Sequence, residues 1–351
     1  MLDYLIVGLG LAGTCFSETL RKNSKSFKVI SDTSQQASLV AGGLYNPVIL
    51  KRFTLAWKAD EQLDVALPFY TELERQFNVK LDFKVRILRR FASIEEQNGW
   101  FEAADKQGLR RFLSTKIHPN KNSSLDAPFG FGEVLETGRI DTQRLLTVYR
   151  KLLLQEEKLV EERFDHQTLK INEDGVDYKA IKAKRVVFAE GFGLKHNPFF
   201  DYLPLNGTKG ELLTIKAPKL KEMSVIKSSV FIIPLGDDQY RIGATHKWKD
   251  KTNKPTEEAK EELLKKLRTF LKCDFEVIDH VAGVRPTVTD RRPLVGRHPE
   301  HKNLFVLNGF GSRGVLIAPY ASHQLYEAVE NNGTVHQEMN SNRFTSKYQE
   351  A

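Results

Sequence analysis

Cysteine is nearly absent. The 351 residues contain two, Cys15 and Cys273. That excludes a disulfide scaffold, and the lack of any Cys-x-x-Cys pair excludes a zinc ribbon; a reducing cytoplasm is the default location. No apolar run approaches the ~20 residues of a membrane span. Strand signal from residue 4 onward leaves no room for a signal peptide. There is no Gly-x-Ser-x-Gly elbow, and no Ser–His–Asp arrangement can be placed. The nine histidines show no metal-ligand spacing; His298 and His301 read as solvated loop residues, and no metal is expected. Internal repeats and low-complexity stretches are also missing. Lys and Arg exceed Asp and Glu by 53 to 45, a net charge of +8. The basic residues are interleaved with acidic ones and form no dense arginine run, so the surface reads as diffusely solvated rather than as a dedicated nucleic-acid face. At 40% hydrophobic and 28% charged residues, the composition is that of a soluble globular chain long enough for two domains.

What is present is concentrated at the start. Residues 3–13 read Asp-Tyr-Leu-Ile-Val-Gly-Leu-Gly-Leu-Ala-Gly: a short apolar strand, a glycine turn and an amphipathic helix from Leu11 to Leu20. Gly8, Gly10 and Gly13 have dinucleotide-fingerprint spacing. The first permits the turn, the second lets a pyrophosphate approach the backbone, and the third lets helix and strand pack closely. The helix start offers free N–H groups and a positive dipole end. A second strand, Phe27 to Ser31, ends at Asp32, where a carboxylate meets a ribose 2′-OH. That disfavours a 2′-phosphate, so FAD or NAD is expected rather than NADP.

Downstream, Ser38 to Pro47 is a small-residue loop containing Gly42 and Gly43. A helix is predicted over Lys58–Phe77, kinked at Pro68. Leu81 to Phe91 alternates with Leu81, Phe83, Val85 and Ile87 on the buried face, one half-buried strand. Residues 118–132 read as loop. Asp141 starts a helix, Leu159–Phe164 is a candidate strand, and Arg185–Phe188 returns the chain to the nucleotide sheet. Strands follow over 211–216, 225–234 and 239–245, the last two joined by a Gly236-Asp237-Asp238 turn. A helix follows Pro255. In the last third, Gly283-Val284-Arg285-Pro286 precedes a strand over 303–308, then the glycine turn Gly309-Phe310-Gly311-Ser312-Arg313-Gly314 and a further helix.

These pieces together resemble the FAD-dependent amine oxidoreductases of the D-amino acid oxidase, glycine oxidase and sarcosine oxidase type. The matching segments are Gly8 to Gly13, Asp32, Gly42-Gly43, Val187 to Gly191, Gly207 to Glu211, Ile242 to Thr245, Gly283 to Pro286 and Gly309 to Pro319. One subgroup is similar in detail, the flavin domain of the bifunctional tRNA methylaminomethyl-thiouridine biosynthesis protein. It shares Gly43 to Pro47 with Lys51, Gly311 to Gly314 and Asn340 to Arg343. Its methyltransferase half is absent here, and the stretch from Arg285 to Pro299 is closer to glycine oxidase.

The resemblance implies the α/β class, with a discontinuous Rossmann-like FAD domain (1–78, 140–206 and 282–351) and an α+β substrate domain on an antiparallel sheet (79–139 and 207–281). It implies a cofactor set of Gly8, Gly10, Leu11, Ala12, Gly13, Asp32, Thr33, Ala41, Gly42, Gly43, Phe164, Glu190, Gly191, Gly309, Gly311, Ser312, Arg313, Gly314 and Val315. Glu190 stands where a small residue is usual. Cys273 lies upstream of the Arg285 motif, whereas the flavin-linking cysteine of sarcosine oxidases lies downstream, so FAD is expected to be non-covalent. Arg285 is implied to bind a substrate carboxylate, a role its planar fork also suits; read from the residues alone it is either that or a structural arginine bridging the two domains. Arg313 either contacts flavin or substrate or caps its turn. His246 is either a base or structural, as are the candidate pocket phenols Tyr45 and Tyr240. The implied reaction is oxidation of the C–N bond of a carboxylate-bearing amine by hydride transfer to flavin N5, with dioxygen or another acceptor. The alternative is the same oxidation on a carboxymethylaminomethyl group of a modified tRNA base.

Overall fold

Tyr4 and Ile6 leave the opening strand on one side, Leu5 and Val7 on the other, and both faces are buried in separate cores. A strand apolar on both faces belongs inside a parallel sheet covered on each side. The computed structural model, which describes residues 1–349, shows this. The strand Leu2–Val7 pairs in parallel with Phe27–Ile30 on one side and Ile181–Phe188 on the other. Leu159–Val160 extends the sheet beyond Phe27–Ile30, and Leu304–Asn308 runs parallel to Ile181–Phe188. Leu294–Arg297 and the two strands 169–171 and 176–178 add antiparallel edges. The helix Leu11–Lys22 links the first two strands.

The second sheet has eight strands. Their order is Glu276–Arg285, Thr208–Lys216, Gln239–Gly243, Phe231–Gly236, Val225–Lys227, Ile87–Arg90, Phe131–Val134 and Leu113–His118. Every pairing is antiparallel except that of Val225–Lys227 with Ile87–Arg90. Its outer face, including Leu213, Ile215, Ile232 and Ile242, packs with Leu263 and Leu267 of the helix Glu257–Arg268. Its inner face shares the central core with Leu11–Lys22, Ala59–Phe77 and Gly314–Glu330. The molecule is thus a Rossmann-like sheet, interrupted in sequence, facing an antiparallel sheet across a helical layer. No helix among the described residues is long and apolar enough to cross a membrane.

Several elements match the sequence reading closely. Asp141 caps the helix Thr142–Gln155 by accepting from the Arg144 N–H at 3.0 Å. The two-residue turn Asp237-Asp238, both at positive φ, joins Phe231–Gly236 to Gln239–Gly243, as a right-twisted hairpin requires. The helix Ala59–Phe77 runs through Pro68 without interruption.

Others differ. Leu81–Phe91 is two strands, Asp82–Phe83 and Ile87–Arg90, and the expected faces are reversed at the first. Asp82 is buried and Phe83 exposed, because Asp82 finds the Tyr45 hydroxyl at 2.9 Å and Lys84 Nζ at 2.7 Å. A buried carboxylate with such partners escapes the usual penalty. The predicted strand over 225–234 folds back on itself as a hairpin, with Lys227 opposite Phe231. Leu159–Phe164 is a strand only to Val160, and Phe131 begins a strand where loop was expected. The boundary drawn at residue 282 falls inside Glu276–Arg285, which stays paired in the second sheet to Arg285. His298 is buried, not solvated: its Nδ1 accepts the N–H groups of Glu300 and His301, both at 3.1 Å.

Candidate functional site

The glycine turn after the first strand is held by its neighbours. Gly8 has φ +101°, and a Cβ on it would meet Ala189 O at 2.5 Å. A Cβ on Gly13 would meet Gly8 O at 1.9 Å, so the close packing of helix on turn depends on its absence. Gly10 opens the helix without a side-chain cap, and the first intrahelical bond is Thr14 N–H to Gly10 O. The Leu11 N–H donates to Ser38 Oγ at 3.1 Å; those of Ala12 and Gly13 precede that first bond, leaving donors for an anion. Asp32 lies just past the second strand, 24 positions beyond Gly8 in sequence. Its Oδ1 accepts from Ser34 N and Oγ at 3.0 and 2.7 Å.

These groups line one end of a cavity of about 1280 Å³. That exceeds the ~300–1,000 Å³ of ordinary small-ligand pockets and suits an extended dinucleotide with room beyond it. A second helix start, at Gly314, lies on the same cavity. Gly311 beside it has φ +56° and nothing within 4 Å of an added Cβ, so the chain there is open to a ligand. The Gly311 N–H donates to Pro286 O at 3.0 Å, which ties this turn to the strand carrying Arg285.

Of the cofactor residues expected from sequence, Gly8, Gly10, Leu11, Ala12, Asp32, Thr33, Ala41, Gly42, Gly43, Phe164, Glu190, Gly191, Gly311, Ser312, Arg313, Gly314 and Val315 line the cavity. Gly13 and Gly309 do not. Gly13 packs against Gly8, and a Cβ on Gly309, at φ +78°, would strike Val288 Cγ2 at 2.6 Å and Leu294 N at 3.1 Å. Gly309 thus shapes the turn from behind. The Glu190 carboxylate is engaged by His166 Nε2 at 2.9 Å and Asn197 Nδ2 at 2.7 Å.

Arg285 reaches the other end of the cavity. Its guanidinium lies over Gly210 of the neighbouring strand, where an added Cβ would fall 2.0 Å from Nη2. Nη1 donates to Thr245 O at 3.3 Å. Among the described residues, no carboxylate lies within 4.0 Å of it. Burial alone lowers its pKa to about 10. A desolvated cation with free donors and no counter-charge is a receptor for an anion. His246 lies at the same end; partial burial and the positive charges of Arg285, Lys227, Lys266 and Arg291 push it down to about 4.

Of the remaining candidates, Arg313 and Tyr45 line the cavity but are engaged by protein partners, and Tyr240 does not line it. Arg313 donates from Nη1 to Asn46 O at 2.7 Å and from Nη2 to Val48 O at 3.4 Å, so its fork ties the 46–48 loop to the helix start. The Tyr45 hydroxyl donates to Asp82 and accepts from Lys84 Nζ at 2.8 Å; burial, then the Asp82 charge, raise its pKa. Tyr240 packs in the outer core, accepting the Glu222 N–H at 3.2 Å. Neither cysteine is on the cavity: Cys15 is in the central core, and Cys273 packs against the outer one. Sequence reasoning missed Ser38, Gly210 as the seat of the guanidinium, and Lys227, Phe231 and Ile233 on the cavity wall. Only Gly210 carried a signal, as the glycine two positions before the apolar run Leu212-Leu213.

Comparison with known proteins bears on the fold and the family. Glycine oxidase from Bacillus subtilis (strain 168) is 29% identical over 43% of this chain and 42% of its own length. The tRNA 5-methylaminomethyl-2-thiouridine biosynthesis bifunctional protein MnmC from Legionella pneumophila (strain Lens) is 21% identical over 92% of this chain and 53% of its own. The chain therefore spans about half, or less, of the length of these relatives. The crystal structure of glycine oxidase from Bacillus cereus ATCC 14579 superimposes with a TM-score of 0.80 at 20% identity, covering 96% of this chain and 99% of that one. The profile of the DAO family, FAD dependent oxidoreductase, matches residues 3–328. The chain belongs to this family of FAD-dependent oxidoreductases.

Proposed function

We propose that the protein oxidises the C–N bond of a small amine bearing a carboxylate, an amino acid or N-substituted glycine, with non-covalent FAD. The observation that carries this reading is Arg285, a partly buried, carboxylate-free guanidinium in the cavity whose opposite end is the dinucleotide cradle. The residues present suit FAD: the free amides at Ala12 and Gly13 and the turn at Gly8 for the diphosphate, Asp32 for the adenosine ribose, and the Gly311–Val315 turn for the ring end. FAD, when bound, supplies an acceptor for a hydride equivalent and passes the electrons to dioxygen or another oxidant.

Arg285 fixes the substrate carboxylate through a paired fork, which holds the α-carbon in one orientation and replaces diffusive search by positioning. Gly210 keeps that fork against the sheet. His246, lowered to about 4, stays neutral near pH 7 and is too weak a base to take the ammonium proton, so the substrate enters as the free amine and His246 adds no charge beside Arg285. Leu212, Phe231 and Ile233 keep the wall apolar. Water then hydrolyses the released imine. Arg285→Ala is expected to raise KM for the amine far more than it lowers FAD content. Equal kinetics in variant and parent would remove the carboxylate role.

A second reading, oxidation of a carboxymethylaminomethyl group on a tRNA base, is favoured by the match across 92% of the chain to the bifunctional tRNA-modifying protein and by the net charge of +8. It expects tRNA retention that weakens steeply with salt. Absence of retention at low salt eliminates it.

A further inference from the structure

We propose that the cavity contains a second anion subsite at Lys227, so that the amine oxidised here carries a second anionic group on the order of 10 Å from the carboxylate held by Arg285. This rests on the amine-oxidation reading and extends it to a substrate class.

Lys227 ends the strand Val225–Lys227. Val225 packs into the central core and Ile226 into the outer one, so strand alternation turns Lys227 to the cavity side, where it lines the wall. Among the described residues, no carboxylate lies within 4.0 Å of its ammonium. The cations around it are balanced: Arg89 pairs with Glu96 at 2.5 Å and Lys266 with Glu262 at 2.6 Å. Lys227 alone has only a ring beneath it, with Nζ 4.4 Å from the Phe231 centroid. A half-buried ammonium resting on an aromatic face lacks a counter-charge. Burial, then Arg89 and Lys266, bring its pKa down to about 8, which leaves it mostly charged in neutral solution and ready to gain from an anion.

The sheet register sets the spacing. The Arg285 guanidinium lies over Gly210. Leu212, two residues along the same strand, is in register with Gly243, and Gly243 with Phe231. Phe231, under the Lys227 ammonium, is therefore two strands across and two residues along from Gly210. Two strand spacings and two residue rises, roughly 10 Å by 7 Å, put the two cationic heads on the order of 10 Å apart. An amine with one carboxylate in N-carboxymethyl linkage and a second acid at the end of a short alkyl arm spans that interval. The intervening wall is Leu212, Gly243 and Phe231, which suits the alkyl arm.

Three substrate series test this by steady-state turnover of the FAD-loaded protein: N-carboxymethyl ω-aminoalkanoates of graded length, the corresponding ω-aminoalkylphosphonates, and N-carboxymethylalkylamines that lack the second acid. In the parent, kcat/KM of the diacids is expected to pass through an optimum in length. There it should exceed that of the alkylamine by about tenfold or more. Lys227→Met should bring that ratio close to one, and Lys227→Arg should keep it. An advantage seen only with phosphonates assigns the subsite to phosphate-type groups. A ratio near one at every length in the parent, or an advantage that survives in Lys227→Met, overturns the subsite. If Lys227→Met fails to fold, the parent's series decide alone. Failure of the whole panel to turn over sinks the amine-oxidation reading itself, whereas equal turnover of alkylamine and diacids sinks only the subsite.

Discussion

Arg285 depends on what its neighbours omit. Its strand partner across the sheet is Thr208, and its head needs the space above Gly210, itself in register with Gly283. A Cβ on Gly283 would meet Val40 Cγ2 at 2.7 Å, so one glycine seats the guanidinium and the other admits the cofactor-side loop. Gly210→Ala should therefore act like a partial loss of Arg285: KM for a carboxylate-bearing amine rises while FAD content is retained, measured by steady-state kinetics on protein of known flavin content. Tyr45→Phe should do the opposite. Turnover stays close to the parent's, because the hydroxyl is held by Asp82 and Lys84. Chemical unfolding should show a loss of about 1–2 kcal/mol from the partner left unsatisfied. The sequence displayed Arg285 within a recognisable motif. It could not show which way Tyr45 and Arg313 point, since both are committed by contacts with residues distant in the chain.

At the scale of elements, two neighbouring helix starts, Leu11 and Gly314, open onto the cavity, an added Cβ at Gly314 lying 3.3 Å from Leu11 Cδ1, and each follows a parallel strand and a glycine turn. These units were legible because turn, strand and helix signals are local. The helix Ile94–Ala104 was equally local, with Ser93 accepting from the Glu96 N–H at 3.3 Å, and its Ser-x-x-Glu start was overlooked. The hairpin at 225–236 was not legible as two strands, because apolar residues continue across Ser228-Ser229 and hide the turn. That one misreading concealed Lys227, whose position depends on the register with Phe231. The prediction at this scale concerns packing of helix on turn. Gly13→Ala places a methyl 1.9 Å from Gly8 O. It should cost about 1–3 kcal/mol by overpacking and abolish flavin retention on gel filtration, whereas Gly311→Ala, free of any clash but at φ +56°, should cost about 1–2 kcal/mol from left-handed backbone strain alone.

For the whole molecule, acid sensitivity follows from His298. Burial, then the charge of His301, lower its pKa to about 4, and its Nδ1 accepts two backbone N–H groups. Between about pH 4 and 6.5 the unfolded chain binds a proton that the folded chain refuses, so stability rises with pH there and falls on acidification, by up to about 3 kcal/mol. Urea midpoints across that window should show the slope, and His298→Asn should reduce it, leaving the part that His246, also lowered to about 4, contributes. The broad architecture, an interrupted parallel sheet facing an antiparallel one, was readable from the order of strand and helix signals. The burial of His298 was not, because it arises where Phe200, Tyr202 and Tyr348 converge on one loop. The most direct test of the account is anaerobic mixing of the FAD-loaded protein with paired amines, sarcosine against dimethylamine and glycine against methylamine. The account predicts that the visible flavin band bleaches with a carboxylate-bearing member and not with its partner, and that Arg285→Ala removes the difference. Equal bleaching by both members, or no bleaching by any of the four, would contradict it.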